Sequence, residues 1–168
     1  MTAWGPELRD GADTRFRLWA PDREAVTLEI DGAPSVAMQR DDAGWFTATA
    51  PASAGTRYRY RLDAELAVPD PASRLQSGGV HGWSVVVDPR FAWSATEWRG
   101  RPWEEMVILE VHAGTLGGFE GIRDRLPAIA ASGVTAIELM PVNAFGGTRN
   151  WGYDGVLPYA VAEPYGSP

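Results

Sequence analysis

The sequence predicts an immunoglobulin-like β-sandwich over residues 1–90, a connector over 91–104, and a strand–helix–strand unit with its following loop over 105–168. Short runs of period two, separated by turn residues, fill the stretch from Thr14 to Val87. At Glu105 the period changes to a continuous apolar run, and a helical pattern then leads to a second such run.

Phe16, Leu18 and Ala20 alternate with Arg15, Arg17 and Trp19. Beyond the Pro21-Asp22 turn, Val26, Leu28 and Ile30 alternate with Thr27 and Glu29, so each run offers one face to a core and one to water. Asp31-Gly32 ends the second strand, Val36 and Met38 suggest a third, and Asp41-Asp42-Ala43-Gly44 turns the chain into Trp45–Thr49. In Arg57–Leu62 three arginines alternate with Tyr58, Tyr60 and Leu62, the cleanest such signal in the chain. Strands of this length, with no helical pattern among them, predict an antiparallel sandwich. Pro69–Arg74 and Gly78–Gly82 form a shaped loop, in which the lone His81 is expected to serve its own loop. Ser84–Val87 reads as a last strand. Phe91, Trp93, Trp98 and Trp103 are expected to fill an interface between the two parts.

Met106–His112 reads as a strand buried on both faces of a parallel sheet. After Gly114, Gly117 and Gly118, the residues Phe119, Ile122, Leu126, Ile129 and Ala130 recur at helical spacing, with Arg123, Asp124 and Arg125 opposite. Pro127 is expected to kink or split this helix, and Gly133 to stop it. Val134–Val142 is the second buried strand, which completes one βαβ unit. Each strand carries one carboxylate, Glu110 or Glu138. A buried, unpaired charge costs several kcal/mol, so each is expected to meet a cation, a hydrogen-bond network or a water-filled site. Two readings stay open for this pair. Adjacent strands could hold an acid/base pair at the ~5–5.5 Å spacing of a retaining glycosidase. Alternatively, both could anchor arginines and loop amides beneath a site supplied from elsewhere.

With 15 Lys and Arg against 22 Asp and Glu, the net charge is −7, and no basic run interrupts that balance. Nucleic acid and membranes are therefore not expected as partners. Cysteine is absent, which rules out disulfides and thiolate chemistry. His81 and His112 are too few and too far apart in sequence to point to a metal site, and no metal or cofactor is expected. Met1–Asp10 lacks the basic and apolar regions of a leader, and no run of ~18 apolar residues occurs, so a cytoplasmic location is the expectation.

The stretch Arg149-Asn150-Trp151-Gly152-Tyr153-Asp154-Gly155 gathers two large aromatics, an amide, a cation and a carboxylate around two glycines. Flat aromatic faces cover the C–H side of a pyranose, polar groups satisfy its hydroxyls, and glycines permit close approach. The same composition also suits a loop that plugs onto a core.

Several motifs resemble the α-amylase superfamily of glycoside hydrolases, and within it the malto-oligosyltrehalose trehalohydrolases. They are Trp19-Ala20-Pro21, Pro69–Arg74 with Gly79–Gly82, Val86-Val87-Asp88-Pro89, Glu110–Thr115, Gly133–Val142 and Asn150–Val156. The strand and aromatic-loop motifs are shared with glycogen branching and debranching relatives, whereas the Pro69–Gly82 loop is more particular to trehalohydrolases. The resemblance implies that the sandwich is followed by the start of a (β/α)₈ barrel, truncated here. A full barrel needs ~250 residues, and 64 remain from Glu105 onward. It implies retaining hydrolysis of the α-1,4 bond next to a terminal trehalose, on a malto-oligosyltrehalose or related α-1,4-glucan. The catalytic carboxylates would stand on later strands, so no catalytic residue is assigned in this chain. It further implies substrate contact by Tyr153, a subsite shaped by Asp154, Trp151 and Asn150, and Glu110 and His112 at the mouth of the first strand. Glu138 would be mainly structural. The synthase that forms the trehalosyl end would be a functional partner. A non-catalytic α-glucan-binding module is the alternative.

Overall fold

A computed structural model of the chain describes residues 4–9 and 13–168. The leader reading of Met1–Asp10 bears partly on residues 1–3 and 10, which lie outside the described residues.

Among the described residues, ten strands occupy the first part: β1 (Glu7–Leu8), β2 (Asp13–Trp19), β3 (Thr27–Ile30), β4 (Val36–Ala37), β5 (Gln39–Arg40), β6 (Trp45–Pro51), β7 (Arg57–Arg61), β8 (Ala67–Val68), β9 (Gln76–Ser77) and β10 (Trp83–Val85). They form two antiparallel sheets. One runs β1-β2-β6-β5; the other runs β4-β3-β7-β10-β9, with β8 also on β7. Strand alternation decides what lies between the sheets. Phe16, Leu28, Phe46, Tyr58 and Tyr60 are fully buried, each such side chain contributing about 1.5–3 kcal/mol. The arginines of β7 face outward, where Arg59 meets Glu29 at 2.6 Å and Arg61 bonds the same carboxylate. That pairing, chiefly the hydrogen bond from Arg61, holds Glu29 below the usual carboxylate range.

The third strand expected around Val36 and Met38 divides in two. β4 pairs with β3 in one sheet and β5 with β6 in the other, and Met38 is buried at the crossing between them. Switching sheets in this way closes a corner of the sandwich. The last strand ends at Val85, although Val86 still donates to the Thr56 carbonyl at 2.9 Å.

The Pro69–Gly82 loop runs inward as well as outward. Asp70 is 1% exposed, and its Oδ2 accepts from the Tyr58 hydroxyl at 2.7 Å and the Tyr60 hydroxyl at 3.4 Å. Its Oδ1 accepts from the Ala72 N–H at 2.8 Å, and its own N–H donates to Ser84 Oγ at 2.8 Å. Gln76 Nε2 donates to the same Ser84 Oγ at 3.0 Å. Burial raises Asp70 above the usual carboxylate range despite these bonds, and it raises both tyrosines well above theirs.

The second part holds β11 (Ile108–Val111), helix α1 (Gly118–Ala131), β12 (Ala136–Leu139) and a small antiparallel pair, β13 (Asn143–Ala144) with β14 (Leu157–Val161). β11 and β12 are parallel, with Glu110 opposite Glu138. Four expectations are corrected. The two strands are not buried on both faces: Val107, Ile108, Leu109 and Leu139 are substantially exposed, because a two-stranded sheet with one helix has too few layers to cover them. Glu110 and Glu138 are consequently exposed, and among the described residues neither forms an ion pair; solvent supplies what a buried carboxylate would have demanded of a partner. Of the kink or split expected at Pro127, the split does not occur, since the helix is continuous over Gly118–Ala131; the position faces solvent, where the Arg123 carbonyl that loses its bond can turn to water. Phe91, Trp93, Trp98 and Trp103 are each 71–75% exposed rather than packed in an interface, since their segment is irregular apart from one 3₁₀ turn at Trp103–Glu105. His81 is exposed. No helix of the described residues is long and apolar enough to cross a membrane, and no group of three or more metal-binding side chains occurs among them.

The Tyr58–Asp70 bond links the inner tyrosine layer to the loop, so Tyr58→Phe is expected to lower stability by about 2 kcal/mol. The raised Asp70 sets a pH trend as well. A native state that holds the proton more tightly than the unfolded chain gains stability below the ordinary carboxylate range and loses it as pH rises through the native value. Urea unfolding from about pH 4 to about pH 8 should therefore show any advantage of the wild type over Asp70→Asn shrinking as pH rises. A difference that grows with pH would remove the burial account.

Candidate functional site

The chain turns sharply where β11 ends. His112 follows the strand, and its side chain starts the 3₁₀ turn Ala113–Leu116: Nδ1 accepts from the Thr115 N–H at 3.1 Å, while Thr115 Oγ1 donates to the His112 carbonyl at 2.9 Å. This bonding leaves the ring proton on Nε2, which points at the Asn150 carbonyl 2.7 Å away. The Tyr165 hydroxyl donates to the same carbonyl at 3.3 Å. Tyr165 is itself 3% exposed, lies edge-on to His112 and tilts against Phe145. Burial pushes its phenol above the ordinary range. Val111, Ala113, Ile122, Phe145, Ala162 and Tyr165 form the small core beneath this arrangement.

Glycines make that core possible. A Cβ on Gly114 would stand 2.9 Å from ring atoms of both His112 and Tyr165, and one on Gly118 (φ 78°) would stand 2.6 Å from the Tyr165 carbonyl oxygen. On the facing loop, Asn150 Oδ1 accepts from the Gly152 N–H, and Asn150 Nδ2 reaches Asp154 Oδ2 at 3.4 Å. Gly152 (φ 100°) lies against Pro141, and Gly155 against Asn143. The glycines of the aromatic loop thus serve packing, as the plain reading of that stretch expected. Its large aromatics do not: Trp151 is 82% exposed and Tyr153 70%.

A cleft of about 640 Å³ opens here, walled by His112, Thr115, Met140, Arg149, Asn150 and Trp151, with Tyr165 behind them. His112 and Met140 directly follow β11 and β12, so the cleft lies at the C-terminal end of the parallel pair. Of the six residues singled out from the sequence, His112, Asn150 and Trp151 meet in it. Asp154 is tied to it through Asn150, whereas Tyr153 and Glu110 stand outside its wall. Tyr165, Thr115 and Met140 were not foreseen. Only the aromatic within Glu163-Pro164-Tyr165-Gly166 could have signalled its place, and nothing near it in sequence shows what it packs against. No carboxylate lines the cleft among the described residues, and both nitrogens of His112 are engaged, so the arrangement suits binding rather than proton transfer.

Fold and sequence together give the class. Residues 3–92 match carbohydrate-binding module 48 (isoamylase N-terminal domain), more than half of the chain, and the chain belongs to that family. It is similar to malto-oligosyltrehalose trehalohydrolase of Saccharolobus solfataricus, at 46% identity over 157 residues covering 91% of this chain and 28% of that protein. A 1,4-alpha-glucan branching enzyme of Ralstonia nicotianae is 33% identical over 95% of the chain and 24% of its own length. Among solved structures, a candidate alpha amylase of Salmonella typhimurium superposes with a TM-score of 0.90 and 44% identity, over 100% of this chain and 30% of that one. The chain thus spans less than a third of the relatives it matches.

Gly118→Ala is expected to cost about 2 kcal/mol, combining an unfavourable φ with a collision. Gly133→Ala, at φ 95° with nothing within 4 Å, isolates the conformational part and should cost less. Thermal unfolding of the two variants checks the order.

Proposed function

We propose that this chain is the amino-terminal piece of a retaining α-glucan glycoside hydrolase of the trehalohydrolase type. In this reading residues 1–90 are the sandwich module, 91–104 the connector, and 105–168 the first βαβ unit and following loop of a (β/α)₈ barrel. The observation that carries it is the position of the cleft, at the C-terminal end of a parallel strand pair where barrel enzymes gather their chemistry. The uncovered apolar residues of β11 and β12 are what an opened barrel would expose. The likeness to a trehalohydrolase supports the finer assignment.

The reaction would be hydrolysis of the α-1,4 bond next to the terminal trehalose of a malto-oligosyltrehalose, through a covalent glycosyl-enzyme. Its nucleophile and acid/base would stand on later strands. The residues of this chain would form one wall of the subsite. Trp151 and Tyr153 offer flat apolar faces to the sugar, Asn150 and Asp154 hold the loop, and Glu110 and His112 stand at the mouth of the first strand. The synthase that makes the trehalosyl end would act before it, in the cytoplasm.

A second reading, glucan binding by the sandwich itself, has its own support in Trp19, which is half-exposed at a strand end with its indole N–H on the Ala43 carbonyl. Fluorescence titration with maltooligosaccharides separates the two. Trp151→Ala should weaken binding about tenfold if the cleft is the site, whereas Trp19→Ala should do so if the sandwich is. The 168-residue protein should release no trehalose from a malto-oligosyltrehalose; release detected by chromatography would overturn the assignment of the reacting groups to later strands. In a chain as long as its relatives, branch transfer in place of trehalose release would favour the branching-enzyme relationship.

A further inference from the structure

Glu163 lies outside the cleft and belongs to none of the motifs read from the sequence. Its carboxylate is nevertheless held by two backbone donors from a distant part of the chain: Gly78 N–H at 3.1 Å and Gly79 N–H at 2.6 Å. Both glycines have positive φ, 87° and 77°, which turns successive N–H groups toward one point and makes an anion-binding concavity. The loop can do this only with glycine at its base as well, since a Cβ on Gly82 would stand 2.1 Å from the Ser77 carbonyl oxygen. Around this contact the same two segments meet repeatedly. Val161 N–H donates to the Arg74 carbonyl at 3.3 Å, Leu75 bridges Val161, the Arg74 guanidinium lies over the Tyr159 ring, and Val80 is buried with Ala144, Leu157 and Ala160.

Glu163 opens the 3₁₀ turn that ends at Tyr165. Tyr165 is in turn the hydroxyl on the Asn150 carbonyl and the ring against His112. We propose that Glu163 is a positioning residue: captured by the Gly78–Gly79 amides of the sandwich loop, it seats the Glu163–Tyr165 turn so that Tyr165 and His112 together hold the Asn150–Trp151 wall of the cleft. The sandwich thereby sets the shape of a site to which it contributes no lining residue. Two charge-assisted bonds from a preformed loop give the turn a fixed seat, and the short path from Glu163 to Tyr165 leaves little slack for the ring. The glucan occupant of the cleft rests on the function proposed above; the linkage from Gly78 to Asn150 does not.

The test uses the 168-residue chain as wild type, Glu163→Ala and Glu163→Gln, with far-UV circular dichroism to confirm folding. Amide exchange at Gly78 and Gly79 should accelerate about tenfold or more in Glu163→Ala. In the same variant the His112 ring nitrogen resonances and the Asn150 and Trp151 amide resonances should shift, and affinity for maltoheptaose should fall several-fold. Glu163→Gln keeps an oxygen acceptor for one of the two amides and should restore part of each signal. If Gly78 and Gly79 lose protection while His112, Asn150 and Trp151 keep their resonances, Glu163 is only a local staple and the proposal fails. If the wild type binds no maltoheptaose while Glu163→Ala still shows the resonance shifts, the result would count against the glucan reading alone. Should Glu163→Ala not fold, the decision passes to Glu163→Gln, in which unchanged His112 resonances would overturn the proposal.

Discussion

A carboxylate with 1% exposure, to which no cation is bonded among the described residues, holds the first part of this chain together. Asp70 lies between two prolines on a loop, yet its oxygens end the hydroxyls of two fully buried tyrosines and cap an amide of its own loop. Without such an acceptor, β7 would bury the Tyr58 phenol with nowhere to point, at a cost of about 1–3 kcal/mol for the stranded donor, whereas the Tyr60 hydroxyl would keep the Arg17 carbonyl at 3.1 Å. With it, a strand can carry tyrosines where phenylalanines would fill the same space, and the loop gains a fixed register on the sheet. Desolvation and hydrogen bonding oppose one another at Asp70, and the upward displacement of its titration shows which is larger.

That fixed register matters because the loop has a second face. Arg74, Leu75, Gly78, Gly79 and Val80 meet the hairpin strand β14 and the turn after it. Asp70 anchors one end of the loop to the sandwich core, and Glu163 is grasped by the other. The two carboxylates do opposite jobs: one is a buried acceptor for sandwich donors, the other an exposed ligand for loop amides. Between them the loop joins the parts through backbone geometry rather than through a large apolar interface.

Much of the sandwich was legible because its signal is local. Alternation in Asp13–Trp19, Thr27–Ile30 and Arg57–Arg61 follows from the two-residue repeat of a strand and needs no knowledge of the partner. Asp70 was not legible as a hub, since nothing in Pro69-Asp70-Pro71 shows that two tyrosines ten and twelve residues earlier reach it. The apolar run Met106–His112 identified a strand, found at Ile108–Val111, but overstated its burial. Composition reports the environment a strand is suited to, whereas exposure depends on which layers are present to cover it. At the site, the sequence drew attention to His112, Asn150 and Trp151 because their side-chain chemistry is conspicuous. Tyr165 stayed hidden because its role rests on contacts across 15 residues to Asn150 and 53 to His112.

The carboxylate pair Glu110 and Glu138 shows how placement decides chemistry. Adjacent positions on parallel strands bring the two side chains onto one face, the arrangement that first suggested acid and base. Proton transfer calls for a carboxyl shifted by its surroundings and aimed at a bound substrate. Here both are exposed, and neither lines the cleft that forms beyond the strand ends. The His112 ring, two residues after Glu110, does reach that cleft, but its nitrogens are committed to the Thr115 amide and the Asn150 carbonyl. A wall built this way can grip and orient a ligand. The ring nitrogens of His112 and the carbonyl and side-chain oxygens of Asn150 are already spent on holding the loop, and no carboxylate lines the cleft among the described residues, so what this wall offers is shape and contact rather than a group placed for proton transfer.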